Sequence, residues 1–251
     1  MCEIEVLKPD WPAPAVVRAA STLRMGGISL PPFGSLNLGL HVGDSPDCVN
    51  TNRQRLFTQL NLPSKPYWLN QTHGTGVVDV SVLEHSLPDA TTIAADAAVT
   101  SKSNKVCVVM TADCLPVLFC NRAGNRVAAA HAGWKGLADG VIEATIRALA
   151  VHPAELLVWL GPAIGPDAFE VGPEVRSQFI QHDSVASQAF RPGREGRFLA
   201  DIYQLARIRL QRQGVDAIFG GHWCTFSDSD AFYSYRRDGE TGRMASLIWF
   251  S

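Results

Sequence analysis

The segment VCVVMTADCLPVLFCNRAGNRVAAAHAGWKG, residues 106–136, contains the clearest structural signals in the chain. Residues 106–110 form a β-branched apolar run, which predicts a buried strand. Pro116 follows a few residues later and lacks a backbone N–H donor, so we expect this strand to end before it. Cys114 is therefore predicted to lie at or near a strand end.

Two further apolar runs follow Cys114 and predict a β-hairpin. Residues 117–119 and 127–130 are separated by residues 121–125, Asn-Arg-Ala-Gly-Asn, which are typical of a turn. His131 comes directly after the second run. Because the open ends of a hairpin meet, we expect Cys114 and His131 at the same end of the sheet.

A helix is predicted directly after the hairpin. Residues 132–136, Ala-Gly-Trp-Lys-Gly, open it, and Pro153 follows its end. Helical spacing is kept by Leu137, Val141, Thr145 and Leu149. We therefore expect one helix over this segment.

The remaining elements are predicted from the same kinds of signal. Strands are expected at residues 16–21, 155–160, 169–171 and 217–220. Helices are expected at residues 47–62, 173–181 and 201–213. Residues 232–250 are interpreted as two strands around a turn, residues 183–196 as an exposed insertion, and residues 84–92 as a polar loop. Alternating strands and helices predict an α/β or α+β fold with a mixed sheet.

The length and composition favour a single domain that acts on a small molecule. The chain has 251 residues, of which 46% are hydrophobic, enough for one domain with a substantial core. We interpret residues 1–251 as one catalytic domain in which the Pro-rich residues 1–15 form a surface strap. A net charge of −2 and 18% charged residues argue against a nucleic-acid or membrane partner.

The N-terminus and the cysteines predict a cytoplasmic location. The first residues lack the basic start and apolar core of a signal peptide, and no apolar run approaches the roughly 20 residues of a membrane span. The six cysteines show no pairwise disulfide spacing. We therefore expect free thiols in a reducing compartment, most of them acting as small buried hydrophobic residues.

Residues 22–44 are rich in Gly and Pro but also contain Leu, Phe and Ile, which predicts an ordered loop. Its polar candidates for a site are Arg24, Asn37 and His41. For Asn37 and His41, hydrogen bonding within the loop is an equal alternative. Arg24 is the favoured candidate.

His73, Cys114 and His131 are the strongest candidates for chemistry. His73 lies between two β-like runs, and Gly74 and Gly76 permit a tight turn beside it. The three residues are 41 and 17 positions apart, a spacing that neither requires nor excludes a metal. Each one alone is more often a packing residue. Two imidazoles and one thiolate together would suit Zn²⁺ and leave a fourth position open.

Five motifs resemble those of a known family. They are Asn70-Gln-Thr-His-Gly, Thr111-Ala-Asp-Cys-Leu-Pro-Val, His131-Ala-Gly-Trp-Lys-Gly, Gly161-Pro-Ala-Ile-Gly and Tyr233-Ser-Tyr-Arg-Arg-Asp-Gly-Glu-Thr-Gly-Arg. Together they make the chain similar to the purine nucleoside phosphorylase or "polyphenol oxidase" family, the bacterial YfiH-type relatives of the mammalian protein laccase domain-containing 1. The resemblance extends over residues 24–249.

The resemblance implies a fold, a metal and a reaction. The implied fold is a single-domain α/β structure, an α+β sandwich with a mixed sheet. The implied metal is a catalytic zinc on His73, Cys114 and His131. Copper is less favoured, because a multicopper oxidase needs more than the seven histidines present and His-X-His pairs are absent. Purine nucleosides and phosphate are the implied partners, with the protein a monomer or weak homodimer.

The implied reactions are phosphorolysis of adenosine, inosine, guanosine and methylthioadenosine, and deamination of adenosine. Phosphorolysis needs donors for a bound phosphate. The candidates for substrate binding are Arg24, Asn37, Lys135, Arg236 and Arg237. Deamination needs activated water, and zinc lowers the pKa of bound water from about 15.7 to about 7.

Proton transfer has no assigned residue. Zinc deaminases of nucleobases use a glutamate in a His-X-Glu motif, and this motif is absent from the chain. Asp113 is either a proton shuttle or the cap of a turn, and Asp96 either faces the site or caps a turn.

Two other classes of function stay open. In a metal-free hydrolase, Cys114 would be the nucleophile and His131 or His73 the base. In a non-enzymatic factor of cell-wall or nucleotide metabolism, the same residues would hold a structural metal.

Overall fold

A computed structural model describes residues 3–83 and 93–251. The polar loop predicted at residues 84–92 lies outside the described residues. The helices are α1 (Pro46–Gln59), α2 (Trp134–Asp139), α3 (Val141–Leu149), α4 (Pro173–His182), α5 (Ile202–Arg212) and α6 (Tyr235–Asp238). The strands are β1 (Val6–Leu7), β2 (Val17–Thr22), β3 (Val77–Asp79), β4 (Ala97–Thr100), β5 (Cys107–Thr111), β6 (Leu115–Asn121), β7 (Val127–Ala132), β8 (Leu156–Leu160), β9 (Glu170–Val171), β10 (Phe190–Pro192), β11 (Phe198–Ala200), β12 (Ala217–Gly220) and β13 (Met244–Phe250). Short 3₁₀ turns occupy Leu40–Val42, Val80–Val82, Pro153–Glu155 and Ser184–Ala189.

The strands form three sheets. The first sheet is antiparallel and has the order β1-β2-β13-β5. The second has the order β12-β8-β6-β7-β4-β3; β12 is parallel to β8, β3 is parallel to β4, and the other pairs are antiparallel. A small antiparallel sheet has the order β10-β11-β9. The predicted α/β class with a mixed sheet is confirmed.

The two large sheets pack face to face, and helices cover both outer faces. Because side chains alternate along a strand, Leu118 of β6 packs between the sheets with Ile248 of β13. Its neighbour Phe119 packs on the opposite face, in the cluster that includes residues of α2, α3, α4 and α5. On the far side, Val108 of β5 packs with Leu56 of α1. Full burial of each such side chain stabilises the fold by about 1.5–3 kcal/mol.

The β6–β7 hairpin has the predicted form. Leu115 lies opposite Ala132, and Pro116 lies opposite His131. Cys114 directly precedes β6, so the hairpin brings Cys114 and His131 to the same end of the second sheet. This part of the sequence prediction is confirmed.

The prediction of a single helix after the hairpin is wrong. Two helices, α2 and α3, meet at Gly140, which has φ +103°. This left-handed conformation favours glycine and cannot continue a right-handed helix. The Gly140 N–H still donates to the Gly136 carbonyl at 3.0 Å and closes α2.

The exposed insertion predicted at residues 183–196 is wrong in its first half. The 3₁₀ turn Ser184–Ala189 buries Ala186 and Ala189 against the helix-side core. Asp183 begins this turn, because its carboxylate accepts a hydrogen bond from the Val185 N–H at 3.0 Å. The two buried alanines are three residues apart, the period of a 3₁₀ helix, which differs from the periods of α-helices and strands.

The C-terminal hairpin predicted within residues 232–250 is also wrong. Ser234 caps α6 by accepting a hydrogen bond from the Arg237 N–H. Gly239, with φ +69°, follows the end of this helix rather than forming a hairpin turn. β13 pairs with β2 and β5 instead.

Residues 3–15 are more than the surface strap that the sequence suggested. Val6–Leu7 forms β1 at the edge of the first sheet, and Ile4 is buried in the cluster under α1. None of the described helices is long and apolar enough to cross a membrane.

Candidate metal centre

His73 is presented by a tight turn that Asp96 holds in place. His73 has φ +60°, a left-handed conformation that is uncommon for a residue with a side chain. The Asp96 carboxylate accepts hydrogen bonds from the backbone N–H groups of His73 at 2.9 Å and Gly74 at 2.8 Å. It also accepts from the Thr72 hydroxyl at 3.0 Å. A buried carboxylate thus offsets the strain of the turn.

The same carboxylate orients His131. The Nδ1 atom of His131 lies 2.8 Å from Oδ1 of Asp96, and both side chains are buried. Burial raises the pKa of the Asp96 carboxyl, but hydrogen bonds from His131 and Gly74 outweigh this and hold it below its usual value. A carboxylate at Nδ1 favours the tautomer in which Nε2 carries the free lone pair. His131 is therefore prepared to bind a metal through Nε2.

Cys114 follows a second strained residue, Asp113, which has φ +88°. The Asp113 carboxylate accepts hydrogen bonds from the Thr225 hydroxyl at 2.6 Å, the Ser234 hydroxyl at 3.0 Å and the Arg236 N–H at 2.6 Å. Asp113 is buried, and these bonds tie the Cys114 turn to the C-terminal segment. The contacts favour the turn cap over the proton shuttle.

The three candidate ligands converge at this end of the sheet. The Sγ atom of Cys114 lies 3.7 Å from Nε2 of His73. The imidazole rings of His73 and His131 have centroids 4.7 Å apart. One donor atom from each of the three residues lies within 4.8 Å of the others. Within the described part of the chain, this is the one group of three or more such residues able to hold a metal ion.

The charges of Cys114 and His131 support one another. Burial raises the pKa of the Cys114 thiol, but the charge and hydrogen bond of His131 and the hydrogen bond of His73 lower it to about 6. Burial lowers the pKa of His131, but the Cys114 thiolate and Asp96 raise it to about 9. The thiolate is the form that binds metals. Two nitrogens and one thiolate form a donor set that fits Zn²⁺.

Gly133 has no side chain, and this leaves room for the side chains of His73 and Cys114. A Cβ atom at this position would lie 2.8 Å from Cδ2 of His73 and 3.0 Å from Sγ of Cys114. The backbone of Gly133, with φ −63° and ψ 157°, is open to any residue. The requirement for glycine is therefore steric. At Gly136 a Cβ atom would lie 2.7 Å from the Gly74 carbonyl, so α2 packs directly on the His73 turn.

A cavity of about 240 Å³ opens beside Cys114. Its walls include the rings of Trp134, Phe169 and Tyr235, together with Arg236. Larger grooves of about 820 and 790 Å³ lie elsewhere, and none of the three ligands lines them. The smaller cavity is the one that a substrate of this centre would use.

Two of the predicted substrate residues are held by the loop itself. Arg24 donates to the carbonyls of Gly34 and Ser229, the latter at 2.7 Å, and its guanidinium lies 4.8 Å from the centre of the Tyr233 ring. Buried Asn37 donates to the Gly39 carbonyl and to Asp44. For Asn37 these contacts favour the bracing alternative, and for Arg24 they favour bracing over the substrate role that the sequence predicted.

The three remaining predicted residues have different surroundings. Lys135 is exposed on α2 and pairs with Asp139 at 3.0 Å. Arg236 lines the cavity and donates to the Glu170 carbonyl at 2.7 Å. The guanidinium of Arg237 is already engaged within the protein, because it donates to three backbone carbonyls and to Asp238. Of these three, Arg236 alone lines the cavity.

Arg243 was not singled out from the sequence, although it ends one of the five motifs. Its electrostatic field reaches both Cys114 and Asp113. His41, a loop candidate, shares this side of the centre: burial and the charges of Arg243, Arg53, His131 and His73 lower its pKa. A basic residue at the end of a shared motif was the signal that could have identified Arg243.

Comparisons with known proteins identify the family of the chain. A family model described as multi-copper polyphenol oxidoreductase laccase matches residues 18–251. The purine nucleoside phosphorylase YfiH of Escherichia coli (strain K12) is 56% identical over 245 residues, with 98% of each chain covered. A purine nucleoside phosphorylase of Pseudomonas aeruginosa is 56% identical over 244 residues, with 97% of each covered.

A crystal structure of a Neisseria meningitidis protein matches with a TM-score of 0.91 and 51% sequence identity, covering 98% of this chain and 99% of that one. Sequence and fold therefore agree over nearly the whole chain, and the resemblance carried by the five motifs is confirmed. The chain belongs to the YfiH family, whose family model is described as multi-copper polyphenol oxidoreductase laccase.

Proposed function

We propose that this protein is a zinc-dependent purine nucleoside phosphorylase that also deaminates adenosine. The observation that carries the proposal is the convergence of His73, Cys114 and His131 beside a cavity with aromatic walls. Relatives that are 56% identical over nearly their full length are named purine nucleoside phosphorylases. Both points favour a catalytic site for a flat, aromatic substrate.

Zinc would be held by the three ligands, with Asp96 orienting His131. The described residues provide three such donors and no fourth in the same group, which leaves a coordination position for water or substrate. When bound there, zinc would supply a Lewis acid and activate water. A single three-ligand group is a poor fit to multicopper chemistry, so copper is the less favoured metal.

The cavity residues would place the nucleoside and the phosphate. Phosphorolysis forms a bond from a phosphate oxygen to the anomeric carbon, breaks the glycosidic bond, and leaves its electron pair on the purine, which takes up a proton. Trp134, Phe169 and Tyr235 would stack on the purine, since aromatic rings and bases share flat apolar faces. Of the sequence candidates, Arg236 lines the cavity and is best placed to contact the substrate, whereas Lys135 is exposed and pairs with Asp139.

The proposed substrates are adenosine, inosine, guanosine and methylthioadenosine. All four share a purine and a ribosyl anomeric carbon, so one geometry at the sugar would serve each of them. Deamination replaces the exocyclic amine of adenosine by an oxygen from water and releases ammonia. This second reaction needs water rather than phosphate at the purine.

Product analysis tests the proposal directly. Zinc-loaded protein is incubated with adenosine, with and without inorganic phosphate, and the purines are separated. Adenine that forms only with phosphate indicates phosphorolysis, inosine indicates deamination, and hypoxanthine indicates both in sequence. Absence of all three products from fully zinc-loaded protein would contradict the proposal.

The lowered pKa of the Cys114 thiol favours a second candidate, a metal-free hydrolase with Cys114 as nucleophile. Iodoacetamide distinguishes the two. A catalytic thiolate without metal reacts stoichiometrically in the protein as purified, whereas a zinc-bound thiolate reacts only after a chelator removes the metal. Mass spectrometry of the Cys114 peptide reports the result.

The cellular location and the oligomeric state of the enzyme are part of the same proposal. Five described cysteines are free thiols, which supports the cytoplasm as its location. We propose a monomer or weak homodimer without a nucleic-acid or membrane partner. Light scattering after gel filtration, over a range of protein concentrations, measures the assembly.

A further inference from the structure

Arg243 lies directly behind the Cys114 turn because of strand register. β13 is antiparallel to β5, and Met244 is paired with Thr111. The residue before Met244 therefore lies beside the residues that follow Thr111, at the end of the sheet where Cys114 emerges. The Arg243 N–H donates to Oδ1 of Asn37 at 3.0 Å, which fixes its backbone.

Hydrogen bonds and packing also fix the side chain of Arg243. Nη1 of Arg243 donates to the carbonyls of Thr241 at 2.8 Å and Gly242 at 3.0 Å. The guanidinium carbon lies 5.9 Å from the centre of the Tyr235 ring, and Tyr235 lines the cavity beside Cys114. Bulk at Gly39 would press on the Arg243 stem, since a Cβ there would lie 2.9 Å from its Cγ.

The charge of Arg243 lacks a counterion among the described residues. The guanidinium is half-buried, and no described carboxylate lies within the 4.0 Å of an ion pair. Its Nε and Nη2 atoms have no hydrogen-bond acceptor among these residues. Burial lowers the pKa of Arg243, while Cys114 and Asp113 act in the opposite direction. A desolvated cation is costly unless an anion accompanies it.

Three other basic candidates are already engaged by neighbouring groups, whereas Arg236 is exposed and donates to one carbonyl, that of Glu170. Arg24 and Arg237 donate to backbone carbonyls, and Lys135 pairs with Asp139. Arg243 is half-buried, and its adjacent donors Nε and Nη2, on one edge of the planar group, have no acceptor among the described residues. That edge is the part of a guanidinium that binds two oxygens of a phosphate at once.

We propose that Arg243 is the residue that binds inorganic phosphate in this site, with Asn37 positioning its backbone. This inference rests on the proposed function, because phosphate is the co-substrate of phosphorolysis. Arg243 would hold the phosphate with two charge-assisted hydrogen bonds next to the cavity. Arg236 would then face the nucleoside instead.

The test compares Arg243→Gln and Arg243→Lys with the wild type and with Arg122→Gln. Arg122 is exposed in the β6–β7 turn, roughly 26 Å along the strand from Cys114 at about 3.3 Å per residue. Its replacement removes one charge elsewhere. The readouts are zinc content, the phosphate and nucleoside KM values of phosphorolysis, and the rise in Tm that inorganic phosphate produces without nucleoside.

We expect Arg243→Gln to keep its zinc and to raise the phosphate KM by roughly 10- to 100-fold, the loss typical of hydrogen bonds to a charged group. The nucleoside KM should stay within about twofold, and phosphate should no longer raise the Tm. Arg243→Lys, which keeps the charge without the planar edge, should be intermediate. Arg122→Gln should match the wild type.

The inference is overturned if Arg243→Gln and Arg243→Lys keep the wild-type phosphate KM and the wild-type response of Tm to phosphate. Should Arg243→Gln fold poorly, Arg243→Lys decides by the same two readouts. A wild type without phosphorolysis would contradict the proposed function alone. In that case the phosphate-induced rise in Tm still decides whether Arg243 binds the anion.

Discussion

The metal centre and the arginine-rich loops around it use their polar side chains in different ways. At the centre, Asp96 and Asp113 are satisfied internally and leave His73, Cys114 and His131 with donor atoms directed at a common point. In the loops at residues 22–44 and 225–243, most guanidinium groups donate to backbone carbonyls instead.

This difference shows how well the type of a residue predicts its function. Two histidines and a cysteine at strand ends converge into a group that is able to hold a metal ion. An arginine has many uses, since its five N–H groups can brace any loop with free carbonyls. Among the described arginines, a half-buried guanidinium with unused N–H donors is more informative than position in a motif, and Arg243 has both features.

The largest effect should come from crowding the ligands. In Gly133→Ala the new methyl group would meet His73 and Cys114 at 2.8 and 3.0 Å. Loss of an outer partner of a ligand costs roughly 10- to 100-fold in metal affinity, so displacing two ligands should cost at least about 100-fold. Zinc affinity, measured by competition with a chelator, reports this.

Gly76→Ala is the matched control. A Cβ atom at Gly76 would make ordinary contacts, the nearest at 3.4 Å from Ala95 Cα. We expect nearly wild-type zinc affinity for this variant. Equal zinc affinity in Gly133→Ala and Gly76→Ala would show that the ligands do not need the space above Gly133.

A smaller loss is expected from Asp96→Asn. The amide keeps the shape of the carboxylate but loses its charge, so it favours the His131 tautomer that has Nε2 free less strongly. We expect a loss of zinc affinity of roughly 10- to 100-fold, together with a lower Tm. Wild-type zinc affinity in Asp96→Asn would contradict the orienting role of the carboxylate.

The stability of the zinc-free protein should depend on pH through the charges of Cys114 and His131. The Cys114 thiol, with its pKa lowered to about 6, stabilises the fold fully above its usual pKa and loses this effect as the pH falls through about 6. His131, with its pKa raised to about 9, stabilises fully below its usual pKa and loses the effect as the pH rises through about 9. Because each pKa is shifted by the charge on the other residue, the attraction exists only where both are charged, between about pH 6 and pH 9.

The measurement is the difference in Tm between zinc-free wild type and zinc-free Cys114→Ser as a function of pH. This difference should be largest within that pH range and should shrink at about pH 5 and about pH 10. A difference that is constant with pH would show that the two side chains are not paired as charges.

The smallest effect on the reaction should come from Arg24→Ala. Its contacts with Gly34 and Ser229 favour bracing, so the Tm should fall by a few degrees, about 2–4 °C for each kcal/mol lost in a chain of this size. Phosphorolysis and deamination should fall together by a similar factor. A rise in phosphate KM alone, at unchanged Tm, would return Arg24 to the phosphate site.

Local signals were enough to predict the β6–β7 hairpin and the approach of Cys114 to His131. They were not enough for Gly140, because helical spacing continues across it while its backbone does not. Asp113 could not be understood from its neighbours, since Thr225 and Ser234 are more than 100 residues away in sequence. The position of Arg243 likewise depends on the pairing of β13 with β5, whereas the sequence pattern predicted a hairpin within residues 232–250.

The central claim is that His73, Cys114 and His131 form one zinc site that performs nucleoside chemistry. It is tested most directly by adding zinc stepwise to zinc-free protein and measuring adenine formed from adenosine and phosphate. We predict that the rate rises linearly and levels off at about one zinc per chain, and that Cys114→Ala stays at the background rate throughout. Full activity in the zinc-free wild type, or restoration of Cys114→Ala to wild-type activity by the same zinc, would contradict the claim.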